Sequence, residues 1–129
     1  MKDLVVENLK PVFEDDRGSI FDVLDHEIIS HIGMIHSTKG AVRGNHYHKT
    51  AKQITYILDG KMELLTKDVN DKNSKIQSCI LNKGDIISIP PFTIHTLTAV
   101  EDSVFLIFTN KPRTHGGYEE DTHRVEIKK

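Results

Sequence analysis

The stretch Gly40-Ala-Val-Arg-Gly-Asn-His-Tyr-His-Lys-Thr-Ala-Lys-Gln53 decides how the rest of the chain is interpreted. Its two histidines, His46 and His48, are two residues apart, so on a β-strand their side chains face the same side. Two imidazoles on one face can share a metal ion or a substrate. A third histidine, His95, follows a proline pair whose turn can bring it beside the first two. The three histidines are therefore the candidate functional site.

The regions around this stretch have the pattern of an all-β protein. Turn-forming residues recur at short intervals, and Asp59-Gly60 separates two strand-like runs as in a β-hairpin. Asp22–Ser30 is the only weak helix candidate, and we do not assign a helix there. The pattern predicts a sandwich or barrel. The predicted strands are Ser19–Leu24, Ile32–His36, Gln53–Leu58, Lys61–Thr66, Ser74–Leu81, Ile86–Ile89, His95–Ala99 and Ser103–Thr109.

Composition predicts one globular domain over residues 1–129. The chain is 37% hydrophobic and 28% charged, which suits a folded domain with its own core. Its net charge is −2, so it lacks the basic surplus that nucleic-acid binding requires. No apolar run reaches the ~18 residues of a membrane span, and the first ten residues show no signal-peptide pattern. The single cysteine, Cys79, excludes an internal disulfide and favours the cytoplasm.

The spacing of glycines, prolines and histidines resembles the two motifs of the cupin superfamily. The first motif reads Gly40-x5-His46-x-His48-x4-Gln53-x6-Gly60, and the second reads Gly84-x5-Pro90-x4-His95. The resemblance implies a cupin double-stranded β-helix, that is, a jelly-roll barrel. Two positions depart from the family pattern, because cupins usually have Glu at the place of Gln53 and Gly at the place of Phe92.

The resemblance also implies a candidate metal site made of His46, His48, Gln53 and His95. Gln53 can offer a carbonyl oxygen to a metal ion but brings no negative charge. Such a set would hold a divalent ion less strongly than one with a carboxylate. A bound Zn, Fe, Ni or Mn ion therefore stays an open alternative.

A second resemblance narrows the functional class. Asp16-Arg17-Gly18-Ser-Ile-Phe21 and Arg43-Gly-Asn-His-Tyr-His-Lys49 are similar to segments of the dTDP-4-dehydrorhamnose 3,5-epimerases and the nucleotide-sugar 3,4-ketoisomerases. This resemblance implies an isomerase or epimerase of a nucleotide-diphosphate 4-keto-6-deoxy sugar that requires no cofactor and serves surface polysaccharide biosynthesis. The ketoisomerases often carry Gln at the position of Gln53.

The chemistry of the residues suggests individual roles. Histidine exchanges protons near neutral pH, so His46 is the candidate base and His48 a relay or a stabiliser of the enolate oxygen. Arg17 and Arg43 can clamp a diphosphate, because guanidinium groups match phosphate oxygens. Lys49 and Tyr56 complete the candidate substrate-binding residues, although Lys49 also reads as a loop charge and strand parity does not place Tyr56.

Two other functional classes stay open. One is a metal-dependent mononuclear cupin, an oxygenase or isomerase, and the other is a cupin that binds a sugar or metabolite without catalysis. We expect a homodimer. The polar segment Thr114–Lys129 is predicted to be an edge segment or tail that packs on the barrel or on a partner, and His115–Asp121 to be a surface or interface segment or a lid.

Overall fold

The computed structural model describes residues 4–113, 117, 120–125 and 127. These residues form strands and turns, and no helix that could cross a membrane is found among them. The strands are β1 Glu7–Asn8, β2 Phe13–Asp15, β3 Gly18–Ile20, β4 His31–Ser37, β5 Val42–His48, β6 Gln53–Asp59, β7 Lys61–Asp68, β8 Gln77–Asn82, β9 Asp85–Ile89, β10 Thr93–Ala99, β11 Ser103–Thr109 and β12 Thr122–Arg124.

The strands build two antiparallel five-stranded sheets and one separate hairpin. The first sheet has the order β1-β9-β6-β11-β4, and the second has the order β12-β5-β10-β7-β8. Strands β2 and β3 pair only with each other. This arrangement confirms the predicted all-β jelly-roll architecture.

The core forms because apolar residues alternate along the strands. On β10, Leu97 and Ala99 are buried together with His95, so the third histidine shares the inner face with core residues. Strands β6, β7 and β11 contribute inward side chains in the same alternation, among them Ile57, Leu64 and Phe105. The histidine site therefore rests on a packed apolar floor.

Most of the predicted strands correspond to strands of the structure, but the first does not. Ser19–Leu24 was expected to be one strand, whereas only Gly18–Ile20 is extended, as the second arm of a hairpin. The hairpin register pairs Phe13 with Ile20, and both side chains are about half exposed, at 50% and 55%. Asp22–Ser30 has no helix. The apolar residues of this region thus pack outside the barrel core or stay exposed.

The C-terminal segment supplies the edge strand of the second sheet. Thr122–Arg124 pairs antiparallel with β5, which agrees with the expected edge segment. Most of the stretch between His115 and Asp121, namely positions 115, 116, 118 and 119, lies outside the described residues. Asp121 itself is described, and its backbone carbonyl contacts His48.

Candidate active site

The fold brings the three predicted histidines together. His46 and His48 lie on β5, and His95 lies on the neighbouring strand β10, directly opposite His46 in the register. The ring centroid of His46 is 5.0 Å from that of His48 and 4.6 Å from that of His95. One ring nitrogen from each histidine lies within 4.8 Å of the others. The three rings thus form one cluster.

A β-bulge in strand β5 sets this geometry. The register between β5 and β10 shifts between His95 and Thr96, which leaves Asn45 as the extra residue. Gly44 has a φ of 103°, and a Cβ at this position would lie 2.5 Å from the carbonyl oxygen of His95. Asn45 has a φ of 56°, and its side chain accepts a 2.8 Å hydrogen bond from the Thr96 hydroxyl. Gly44 and Asn45 therefore seat His46 against His95.

The bulge also determines which residues line the adjacent cavity, whose volume is about 200 Å³. Because one residue is inserted, Arg43 and His46 line the same cavity although they are three residues apart. The guanidinium of Arg43 donates hydrogen bonds to the Ser37 hydroxyl and the His36 carbonyl. The cavity has a polar side and an apolar side. Its lining residues are Arg43, Gly44, His46, Gln53 and His95, with Ile35, Leu97, Phe105 and Ile107.

Two of the rings are oriented by backbone carbonyls. Nδ1 of His48 lies 3.1 Å from the Asp121 carbonyl, and Nδ1 of His95 lies 3.2 Å from the Thr93 carbonyl. Since a carbonyl can only accept, each neutral ring carries its proton on Nδ1 and keeps its lone pair on Nε2. Nε2 of His95 is buried without a hydrogen-bond partner in the described part of the chain. Gln53 lies near His48, and its side-chain amide donates a 3.3 Å hydrogen bond to the Thr55 hydroxyl.

The environment keeps the three histidines neutral at physiological pH. Burial, together with the nearby His46, lowers the pKa of His95 to about 3. Burial, together with electrostatic repulsion from Arg124 and from His48 when it is protonated, lowers the pKa of His46 to about 4. Burial also lowers the pKa of His48. His48 and His95 are almost completely buried, whereas His46 is only partly buried and faces the cavity.

Asp121 fastens the C-terminal segment to the loop that follows β5. Its carboxylate accepts hydrogen bonds from the backbone N–H groups of Lys49, Thr50 and Ala51 and from the Thr50 hydroxyl, at 2.8–2.9 Å. Burial alone would raise the pKa of Asp121, but these hydrogen bonds hold it far below its usual range. The backbone carbonyl of Asp121 accepts a hydrogen bond from Nδ1 of His48. Both the contact with the loop and the orientation of the His48 ring therefore depend on Asp121.

The structure does not bring every predicted site residue to the cavity. Arg17 lies in the β2–β3 hairpin with its side chain 81% exposed, and it forms a salt bridge with Asp15. Side chains alternate along β6, and Gln53 points inward, so Tyr56, three residues later, lies on the outward face. There it packs with the outer cluster that contains Phe108. Lys49 is an exposed loop residue whose backbone N–H donates to Asp121.

Two residues at the site were missed by the sequence reasoning. Asp121 orients His48, and Arg124 lies opposite His46 in the pairing of β12 with β5. Both belong to a polar C-terminal segment that the sequence placed only as an edge or tail. No local motif distinguishes them from the other charged residues of that segment.

Comparison with known proteins identifies the family. A family described as the polysaccharide biosynthesis C-terminal domain matches residues 13–123. The chain belongs to this family. No curated protein matches the sequence of this family member.

Solved structures support the same fold. A 3,4-ketoisomerase from Helicobacter canadensis is 25% identical, with a TM-score of 0.75, over 96% of this chain and 92% of that chain. A dTDP-4-dehydrorhamnose 3,5-epimerase from Sulfolobus tokodaii is 24% identical, with a TM-score of 0.73, over 96% and 82%. The capsular polysaccharide assembling protein CapF from Staphylococcus aureus is 22% identical, with a TM-score of 0.67, and the match covers 98% of this chain but 34% of CapF. The predicted resemblance to the epimerase and ketoisomerase cupins is thus confirmed.

Proposed function

We propose that this protein is an isomerase or epimerase of a nucleotide-diphosphate 4-keto-6-deoxy sugar in surface polysaccharide biosynthesis. The observation that carries the proposal is the position of His46. It is a neutral histidine at the wall of a largely apolar cavity, backed by two deeper histidines. A 3,4-ketoisomerase and a 3,5-epimerase among the structural neighbours support this reaction class.

The proposed chemistry is a proton transfer. His46 takes the proton from the carbon next to the keto group, which leaves the electron pair as an enolate with its negative charge on oxygen. The protonated ring, or a second donor, then returns a proton to another carbon or to the other face. Arg43 and Gln53 line the cavity and carry N–H groups that can stabilise the enolate oxygen. His48 lies behind His46, which suits a relay better than direct contact with the sugar.

The reaction is tested in D2O with dTDP-4-keto-6-deoxyglucose and other 4-keto nucleotide sugars. We expect the purified protein to introduce deuterium at ring carbons next to the keto group, followed by NMR. Absence of deuterium incorporation from every sugar tested would contradict the proposal. Binding of a sugar nucleotide without deuterium incorporation would instead support the non-catalytic binding alternative.

A metal-dependent cupin is the second candidate, and the geometry of the nitrogens favours it. The three rings converge within 4.8 Å, and the Nδ1 atoms of His48 and His95 are held by carbonyls, as in many metal-binding histidines. His46, His48 and His95, with the Gln53 oxygen, thus fit a divalent ion. When bound, the ion would supply Lewis-acid stabilisation of a carbonyl oxygen.

Metal binding is tested on metal-free protein. If the site holds zinc, a saturating excess of Zn²⁺ raises the melting temperature by several degrees in the wild type but not in His95→Gln, since a ligand that binds the native state stabilises it. Equal melting temperatures with and without Zn²⁺, Fe²⁺, Ni²⁺ and Mn²⁺ would exclude this candidate.

We also propose a homodimer. Strand β4 lies at the edge of the first sheet, and its outward residues Ile32 and Met34 are each 61% exposed. An exposed apolar edge strand is a surface that proteins usually cover. Light scattering should give about twice the monomer mass, and replacing both residues by Lys should give monomers.

A further inference from the structure

Arg124 occupies a position beside the active site that the motifs did not assign. Strand β12 pairs with β5 so that Arg124 is opposite His46 and Thr122 is opposite His48. Residues directly opposite each other in an antiparallel pair project to the same face, with Cβ atoms about 5 Å apart. Arg124 therefore projects from the same face of the sheet as His46.

The aromatic contacts of the intervening pair support this orientation. Tyr47 and His123 are the pair between these two, and their ring centroids lie 5.1 Å apart in a tilted contact. Tyr47 alternates with the inward rings of His46 and His48, so this ring contact lies on the outer face. By the same alternation, Arg124 lies on the side of His46.

The other arginines near the candidate site are less suited to receive an anion. Arg17 is neutralised by Asp15 on the separate hairpin. Arg43 points into the cavity, where two of its N–H groups are already bonded to protein oxygens. Arg124 is exposed, and no hydrogen bond or ion pair of its guanidinium is found within the described residues. A guanidinium in this state is available for phosphate oxygens.

We propose that Arg124 binds the diphosphate of a nucleoside-diphosphate sugar at the rim of the His46 cavity. This inference rests on the proposed function and adds the residue that anchors the substrate. The C-terminal strand would thus carry both the anchor, Arg124, and the residue that orients His48, Asp121. The sugar would extend from the anchor into the cavity, with its keto group near His46.

The test measures binding of nucleoside diphosphates without turnover. Isothermal titration calorimetry is done with TDP, UDP, GDP and CDP, and with thymidine, on the wild type and on Arg124→Gln, Arg124→Lys and Arg17→Gln. Losing a charged hydrogen-bonding group should weaken diphosphate binding at least about tenfold in Arg124→Gln. Arg124→Lys should recover part of the affinity, and Arg17→Gln should lose less affinity than Arg124→Gln.

The outcomes separate this inference from the proposed function. If the wild type binds a nucleoside diphosphate and Arg124→Gln binds it equally well, Arg124 is not the anchor, while the proposed function stands. If Arg17→Gln loses as much affinity as Arg124→Gln, the anchor lies on the hairpin and the inference is overturned. If none of the four diphosphates binds to the wild type, both proposals fail. Circular dichroism spectra of each variant establish that it is folded.

Discussion

Acidification should destabilise the metal-free protein through its buried histidines. His95 and His46 have native pKa values of about 3 and about 4, whereas an unfolded histidine titrates near 6.5. Between pH 6.5 and 4 the unfolded chain therefore binds more protons than the native one. The contribution of these histidines to the free energy of unfolding is therefore complete above pH 6.5 and is lost as the pH falls.

The magnitude follows from the two pKa differences. Between pH 7 and pH 4.5, a histidine that is protonated only in the unfolded state reduces the free energy of unfolding by about 2.5 kcal/mol. His95, which is 2% exposed, should contribute nearly this amount. His46 is partly exposed, and solvent screening reduces its share to about 1–2 kcal/mol. The expected loss from these two histidines is about 4 kcal/mol, and His48, whose pKa burial also lowers, adds to it.

The assay is urea unfolding in EDTA at pH 7 and pH 4.5, followed by circular dichroism. In His95→Gln the loss between the two pH values should shrink by about 2.5 kcal/mol, because the proton that His95 binds only in the unfolded chain is no longer taken up. His26→Gln is the matched control, since the His26 side chain is 93% exposed, and its loss should equal that of the wild type. Equal losses in His95→Gln and the wild type would refute the reasoning.

Two further predictions concern the bulge and the Asp121 contact. Gly44→Ala should destabilise the fold by at least about 2 kcal/mol, because the added Cβ would meet the His95 carbonyl. The control Gly40→Ala also has a positive φ, of 87°, but open space around its Cβ, so it should lose only about 1 kcal/mol. Equal losses of the two variants in urea unfolding would contradict this explanation. Asp121→Ala should reduce the free energy of unfolding by about 2–3 kcal/mol, because the hydrogen bonds to its carboxylate are lost. The control Glu120→Ala, at an exposed residue, should reduce it by less than about 0.5 kcal/mol. Equal thermal stability of the two variants would contradict the role of Asp121.

The sequence contained enough information to predict the histidine cluster. His46 and His48 share a face because side chains alternate along a strand, and this rule needs no tertiary structure. His95 was placed through its spacing from the proline pair in the second motif. The glycine-rich turns predicted most of the strands, since turn residues mark where a short strand must end.

Other features depend on long-range contacts that no local pattern encodes. The bulge at Asn45 exists because β10 approaches Gly44, and it moves Arg43 into the cavity against simple strand parity. Arg124 reaches the site only because β12 pairs with a strand distant in sequence. The position of Arg17, by contrast, is set by a local contact, because a turn pairs its side chain with Asp15 on the hairpin.

The central claim is that His46 is the base that removes the sugar proton. The measurement is the rate of deuterium incorporation from D2O into a 4-keto nucleotide sugar, compared between the wild type, His46→Asn and the exposed control His26→Asn. Loss of a positioned base should slow incorporation at least about 100-fold in His46→Asn, with nucleotide binding retained and the control unchanged. Incorporation by His46→Asn at a rate close to that of the wild type would contradict the claim.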